Sequence, residues 1–476
     1  MKRRVLFTFS VLHARAEMAR LMPEFRDRGW DVHLLIGFRG PAADALAAAA
    51  QAEGTTVHRV PDPWAYGAAP ANPAQDAGAA AGTVRRPGRR PRVPAPLRPF
   101  VNALLYACGG FRQRAHARRL LGDIRPDVVV ANNFHSCCEF DNAMNVEARR
   151  QGVPRACVLT SPLVAGIIGR RARLSNYHLG MVDGSHRADA HLLSRILARL
   201  RPDWTVGEGA ERILCWPGEK IAGGFIAGLA RRDVWENPSG DFDRIYAPSD
   251  KSRQLLVASG TEAGLIRVFG PPRLDPVIAE AADSSLRAEM AARFGLRPDE
   301  PYILYNVEPS WEHHYCDRET HFARIERIAA FLVRQPLRTL VSLHPLCAAE
   351  DYAPLLERAP QITISRGMGI ERLYPGCRLV LSFGCSTNAY AVLWNKPLVM
   401  YDWFGIRADP WRWSLYDQPR LTAVTSFEDL ERCVAAELLR PVDSGIPETL
   451  PVSPAAPRIV DDIIALASRP PLSQTA

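Results

Sequence analysis

A chain of 476 residues is too long for one ordinary hydrophobic core and predicts at least two domains. Its 47% apolar and 23% charged content excludes a disordered or fibrous chain and fits a globular enzyme. The net charge of +8 is almost all arginine, since lysine stands only at 2, 220, 251 and 396. Such a balance favours anionic partners, among them nucleotide phosphates and acidic lipid surfaces, although the base composition of a GC-rich genome would also raise arginine. The ten cysteines are scattered, with no C-x-x-C pair and no Cys/His cluster at metal-ligand spacing. They read as reduced, mostly buried thiols of a cytoplasmic protein. No uncharged apolar run reaches the ~18 residues that span a bilayer. Lys2-Arg3-Arg4 followed by VLFTFSVL imitates a short signal peptide, but His13, Arg15 and Glu17 interrupt it, and a first core strand is the better reading.

VLFTF (5–9) is an unbroken apolar run suited to a buried parallel strand. Met18, Leu21, Met22 and Phe25 then recur at helical spacing, Gly29 supplies a C-cap, and DVHLLIG starts a second strand. This is a βαβ unit, the seed of a doubly wound sheet. Residues 64–99, rich in Ala, Gly, Pro and Arg, read as a positively charged insertion with little capacity to bury a core. A helix over 100–121, a strand at DVVVAN, a helix up to Arg150 and a strand at CVLTS follow, whereas 163–240 carries no decisive pattern. A second α/β rhythm begins near Asp243 with RIYAPS, a helix ending on Gly260, and LIRVFG running into GPPRLDP. It continues through YILYN, a helix near 320–334, RTLVSLHP, ITIS, LVLSFG and PLVMYD. The expected division is an N-terminal domain over 1–240 and a C-terminal domain over 241–476.

Loops at the carboxyl ends of parallel strands hold the ligand sites of such sheets. After the first strand stand His13, whose ordinary pKa suits a general base, Arg15 with its forked donors, and Glu17. The strongest local signal is LSFGCSTNAYAVLWNKP: Gly384, Cys385, Ser386 and Thr387 form a small-residue loop between a strand and a helix. Free N–H groups at a helix start and small hydroxyl side chains bind phosphate there, where an ordinary Ser/Thr cap would need only one hydroxyl. His344, before Pro345 at another strand end, can donate to a phosphate or contact a base. Asn132, Asn133 and His135 follow DVVVA; Glu308, Glu312, His313 and His314 follow YILYN, with no evident third metal ligand elsewhere. Asp183 is a possible acid, and Arg273 in GPPRLDP could neutralise phosphate charge. None of these matches a P-loop or a G-x-G-x-x-G fingerprint.

Together these residues resemble the GT-B glycosyltransferase superfamily and its relatives, the UDP-N-acetylglucosamine 2-epimerases and the capsule and teichoic-acid transferases. Arg15, Glu17 and Pro23 look like the epimerases' opening R-P-E segment, and IYAPSD through GPPRLD looks like their linker-proximal strand, helix and turn. His344-Pro345 and Cys385-Ser386-Thr387 before Lys396-Pro397 look like the H-P pair and phosphate loop of these groups. The departures are specific. Ala389 and Tyr390 stand where epimerases have a Glu-Glu pair, VEPSWE replaces their His-Arg segment, and Phe383 replaces the Asp of teichoic-acid polymerases.

The resemblance implies an α/β fold of two Rossmann-like domains facing a cleft and a metal-independent glycosyltransferase without cofactor. Its donor would be a nucleotide-sugar, with the phosphates at 384–387 and with His344 and Arg273 assisting the leaving group. His13 is the preferred base, with Asp183 and His135 in reserve; Arg15, Glu17, Asn132 and Asn133 would bind substrate. The acceptor would be a carbohydrate or a lipid-linked carbohydrate, in surface polysaccharide or glycolipid synthesis. The arginines of 85–119 suggest peripheral contact with an acidic membrane, at the inner face of the cell membrane. They alternate with Pro and Gly and not with aromatics, so nucleic acid is not expected. The alternatives are an epimerase-like enzyme, a CDP-glycerol-type glycerophosphotransferase, and a non-catalytic binder of nucleotide-sugars or nucleic acid.

Overall fold

A computed structural model describes residues 2–9, 15–61, 94–131, 140–159, 187–207, 212–214, 216–230, 242–258, 260–282, 285–297, 299–312, 316–344, 346–383, 385, 387–403, 420–440 and 454–469. The chain forms two units: Met1–Arg173, His178–Arg273 and Ser453–Ala476 make the first, and Leu174–Tyr177 with Leu274–Val452 the second.

In the first unit the elements run β1 (Arg4–Phe9), α1 (Arg15–Asp27), β2 (Asp31–Ile36), α2 (Pro41–Ala52), β3 (Thr56–Arg59), α3 (Arg98–Ile124), β4 (Val128–Ala131), α4 (Phe140–Arg150) and β5 (Arg155–Val158). Then come α5 (Leu192–Leu200), a short hairpin of β6 (Thr205–Val206) and β7 (Ile213–Leu214), α6 (Gly218–Ile226), β8 (Arg244–Ala247), α7 (Asp250–Ala258) and β9 (Ile266–Val268). The seven-stranded sheet is parallel in the order β3-β2-β1-β4-β5-β8-β9. Helices cover such a sheet on both faces, which is why Val5, Leu6 and Phe7 are all buried in succession instead of alternating with polar residues. Gly29, at φ 78°, takes the left-handed turn between α1 and β2 that a Cβ would oppose.

Two features differ from the expected division at 240/241. The strands at 244–247 and 266–268 extend the first sheet, because β8 pairs with β5 in parallel register, Ala156 opposite Arg244. The C-terminal helix Ala455–Ala467 also belongs to the first unit. Its Ile459, Val460 and Ile463 join the core cluster of Val5, Phe7 and Met18. Arg28 pairs with Asp461 at 2.8 Å, Arg244 with Asp462 at 3.1 Å, and the Tyr246 hydroxyl donates to Asp462 at 2.8 Å.

The stretch 163–240, featureless as sequence, contributes α5 and α6, which join α3 in one helical layer closed by small residues. A Cβ added to Gly223 of α6 would lie 2.4 Å from Tyr106 Cβ and 2.7 Å from the Ala103 carbonyl of α3. Gly109, on the same α3, has nothing within 4 Å. Gly223→Ala is therefore expected to cost about 1–3 kcal/mol through overpacking. Gly109→Ala should gain about 1 kcal/mol from helix propensity. Urea unfolding of the two variants checks the opposite signs.

The second unit is built from α8 (Asp275–Ala282), α9 (Ser285–Phe294), β10 (Tyr302–Asn306), α10 (Arg318–Val333), β11 (Arg338–Ser342), α11 (Ala349–Leu356), β12 (Ile362–Ile364) and β13 (Cys377–Ser382). It continues with α12 (Asn388–Leu393), β14 (Leu398–Tyr401), β15 (Leu421–Val424) and α13 (Phe427–Leu439). Its six strands are parallel in the order β12-β11-β10-β13-β14-β15. Read outward from its founding strand, this is the 3-2-1-4-5-6 order of a dinucleotide-binding fold, and the first five positions of the other sheet follow it too. Separate apolar clusters on the two faces include Leu304, Leu340 and Val380 on one side and Ile303, Val341 and Leu381 on the other.

Candidate functional site

In an open parallel sheet the connections after the founding strand and its neighbour leave in opposite directions, and the crevice between them takes the ligand. The second unit places this switch point between β10 and β13. The residues beyond those strand ends are Val307–Glu312 on one side and Phe383–Asn388 on the other, with His344 just past β11.

Around β13 a hydrogen-bond chain shapes the loop. The Asn306 amide nitrogen, which can only donate, gives a hydrogen to the Tyr374 hydroxyl at 2.8 Å. Tyr374 is hydrogen-bonded in turn to Thr387. The Thr387 hydroxyl meets the Cys385 thiol at 2.9 Å, and that thiol donates to Asn388 Oδ1 at 3.2 Å. Asn388 Nδ2 ends the chain on the Phe383 carbonyl at 3.2 Å. Thr387 and Cys385 thus hold the loop's shape. Their small size suggested that these two side chains serve a ligand, and here they are engaged with neighbours within the loop.

His344 sits in the turn after β11. Its Nδ1 accepts the Leu346 N–H at 3.2 Å, so the neutral ring carries its proton on Nε2. Burial pushes its pKa down to about 4. At neutral pH this ring carries no positive charge.

Behind that turn lies a buried cluster. The Tyr352 hydroxyl of α11 donates to Glu312 Oε1 at 2.7 Å and contacts His321 Nε2 of α10 at 2.8 Å. The Cys347 side chain is hydrogen-bonded to both Glu312 and Tyr352, and its N–H donates to the His344 carbonyl at 2.8 Å. Burial raises the Glu312 carboxyl above its ordinary range and pushes His321 down to about 4, with Arg324 and Arg318 adding to the second effect. Among the described residues neither Glu312 Oε2 nor His321 Nδ1 has a hydrogen-bond partner. Arg324 lies over the Trp403 ring, 4.3 Å from its centre, at the end of β14.

In the first unit Glu17 is fully buried, and its carboxylate holds Arg273 twice: Oε2 accepts the backbone N–H at 2.9 Å and Oε1 faces the guanidinium Nε at 3.1 Å. The two expected ligand residues meet each other, as a clamp between α1 and the turn beyond β9. Arg15 opens α1, with a side chain outside the description. His13, Asn132, Asn133, His135, Asp183, His313, His314, Gly384 and Ser386 lie outside the described residues. Among those described, no group of three or more His, Cys, Asp or Glu could hold a metal ion.

Sequence reasoning missed His321, Tyr352, Tyr374, Asn306 and Asn388. The first two are regularly spaced inward positions of amphipathic helices, indistinguishable by pattern from core residues. Asn306, the polar last residue of an otherwise apolar strand, was the one available signal.

No protein-family model matches the chain, and no curated protein matches it in sequence. Solved structures do. The UDP-GlcNAc 2-epimerase of Neisseria meningitidis, bound to UDP-GlcNAc, is similar with a TM-score of 0.52 at 12% identity, over 98% of this chain and 100% of that one. The UDP-GlcNAc 2-epimerase of Methanocaldococcus jannaschii matches at 0.51 and 12%, again over 98% and 100%. A putative UDP-N-acetylglucosamine 2-epimerase of Listeria monocytogenes matches at 0.52 and 12%, over 98% and 95%. The fold is GT-B. At such identities the likeness speaks for the two Rossmann-like domains of a GT-B chain and not for its reaction. One departure is now physical: Tyr390, at an epimerase carboxylate position, is a core residue set edge-on to Tyr374 with ring centres 5.3 Å apart.

Proposed function

We propose that this GT-B chain is a nucleotide-sugar-dependent glycosyltransferase. One observation carries the reading: the small-residue loop 383–388 and the neutral, Nε2-protonated His344 both stand at the strand ends around the β10/β13 switch point. The diphosphate of a nucleotide-sugar is held by the backbone of that loop and the Ser386 hydroxyl, and His344 donates to a phosphate oxygen. Glu17 and Arg273 serve the fold of the first unit and are not assigned to substrate. His13 is the base that activates the acceptor hydroxyl, with Asp183 and His135 as its alternates. The acceptor is a carbohydrate or a lipid-linked carbohydrate.

An epimerase-like reaction is the second reading, favoured by the solved structures of similar fold and opposed by Ala389 and Tyr390 in place of two carboxylates.

The deciding experiment is a thermal-shift screen with UDP-, GDP- and CMP-linked sugars and CDP-glycerol, repeated for His344→Ala and Ser386→Ala. A single nucleotide class at about a hundred times its Kd should stabilise the native chain by about 2.7 kcal/mol, and both variants should lose most of that shift. No shift with any nucleotide, or shifts untouched by either change, would sink the loop assignment. Conversion of UDP-GlcNAc to its C2 epimer, followed by NMR without any acceptor, would favour the second reading.

A further inference from the structure

Fourteen large apolar side chains are exposed among the described residues, and eleven of them fall in one layer of the first unit. Six lie between Leu97 and Phe111, at and along α3, three on α5 and two on α6. They are not scattered. Leu97, Phe100, Leu104 and Phe111 follow one another at spacings of three, four and seven, a stripe running along α3 beside its buried face. Leu192, Ile196 and Leu200 make an i, i+4, i+8 stripe along α5, with Leu104 59% and Leu200 70% exposed. The layer is continuous. Tyr106 of α3 covers Gly223 of α6, and Phe225 of α6 packs on Trp204, just beyond Leu200, with ring centres 5.6 Å apart.

Monomeric proteins rarely leave so many large apolar side chains of one helical layer to water, so the layer calls for an occupant. Its charges say which one. Arg98, Arg112 and Arg119 are exposed on α3 against one acid, Asp123, Arg118 reaches Glu147 at 3.0 Å, and α5 carries Arg195 and Arg199 with no acid at all. On α6, Glu219 is engaged by His191 at 2.9 Å, and Lys220 lies over the Trp216 ring. Apolar stripes flanked by arginines, on helices none of which is long and apolar enough to cross a bilayer, are the make-up of elements that lie in the lipid interface. Their hydrocarbon faces enter the headgroup boundary while the guanidinium groups reach back to phosphate.

We propose that α3, α5 and α6 dock the first unit onto an anionic lipid bilayer. The inference stands apart from the donor reading, since no residue of the nucleotide loop takes part. It moves the membrane contact expected for the arginine-rich stretch 85–119 onto a defined apolar face, whose helix α3 takes in 98–119 of that stretch.

The test is flotation of the full chain with vesicles of phosphatidylcholine alone and of phosphatidylcholine with about one quarter phosphatidylglycerol. Binding is expected to the anionic vesicles and should weaken as salt is raised. Leu104→Gln with Leu200→Gln should reduce the partition about tenfold for each leucine. Arg112→Gln with Arg119→Gln should reduce it about thirty-fold and make the salt dependence shallower. All four positions are exposed, so thermal midpoints should be unchanged. Three outcomes would overturn the proposal. One is no binding, or equal binding to both vesicle types that is indifferent to the substitutions. Another is a concentration-dependent dimer abolished by Leu104→Gln with Leu200→Gln, which would make the face a self-interface. The third is vesicle binding only after deletion of residues 64–93, which would mean the chain covers the face itself. Nucleotide shifts measured on the same samples keep a failure here distinct from a failure of the donor site.

Discussion

Glu17→Ala is expected to destabilise the first unit by about 3–5 kcal/mol, the cost of leaving one member of a buried ion pair without the other. The magnitude follows from the geometry. Glu17 is wholly buried and the Arg273 side chain only 17% exposed, so the guanidinium has little water to fall back on when its carboxylate is removed. The loss would also remove the acceptor that Glu17 gives the Arg273 backbone N–H at 2.9 Å. Replacing both members together by apolar residues of similar volume, as in Glu17→Leu with Arg273→Met, should recover most of the loss, because no stranded charge remains. Urea unfolding, with hydrogen exchange of the α1 amides as local probe, measures both. A cost below about 1 kcal/mol for Glu17→Ala would show that the pair is not a clamp and would return both residues to the list of ligand groups.

Acid is expected to loosen the second unit through His321 and His344. Each ring has its pKa pushed from 6.5 to about 4 by burial. The folded value lies below the unfolded one, so each contributes stability that is fully present above pH 6.5 and is lost as pH falls toward 4. A displacement of that size corresponds to about 3 kcal/mol per ring. Glu312 works in the other direction. Its raised carboxyl favours the folded state most at low pH, and that contribution is lost as pH rises through its folded value. The net effect of acid is therefore smaller than the two histidines alone would give. Hydrogen exchange over 318–356 at pH 7 and pH 5, corrected for intrinsic rates, should show protection falling in the native chain and falling less in His321→Gln. Equal protection at the two values would mean the rings titrate freely and the cluster is open to water.

The parallel architecture was legible because buried strands announce themselves as unbroken apolar runs: VLFTF, VVVA, YILYN and LVLS all became strands. Which sheet a strand joins was not. β5 and β8 pair although their first residues, Arg155 and Arg244, are far apart in sequence, and no local pattern encodes that choice. For the same reason the C-terminal helix looked like the end of the second domain, while its partners are Val5 and Phe7 near the start of the chain. At the site, the loop around Cys385 could be found from its small residues and His344 from its strand end. Their chemistry could not. That His344 is neutral depends on burial, and that Thr387 and Cys385 are engaged within the loop depends on Tyr374 and Asn306, which only folding brings to them.

The return of the last helix to the first unit has a consequence for how the protein is made. A ribosome completes β9 and then translates Leu274–Val452 of the second unit before Ala455–Ala467 emerges. At bacterial or eukaryotic elongation rates of roughly 5–20 residues per second, that interval lasts on the order of ten to forty seconds. Throughout it the face of β1 that carries Val5 and Phe7 lacks the cover of Ile459, Val460 and Ile463. The nascent first half therefore waits with an open apolar surface, a natural client for chaperones that shield such surfaces during translation, while the sheet of the second unit comes from one unbroken stretch of sequence, Leu274–Val452.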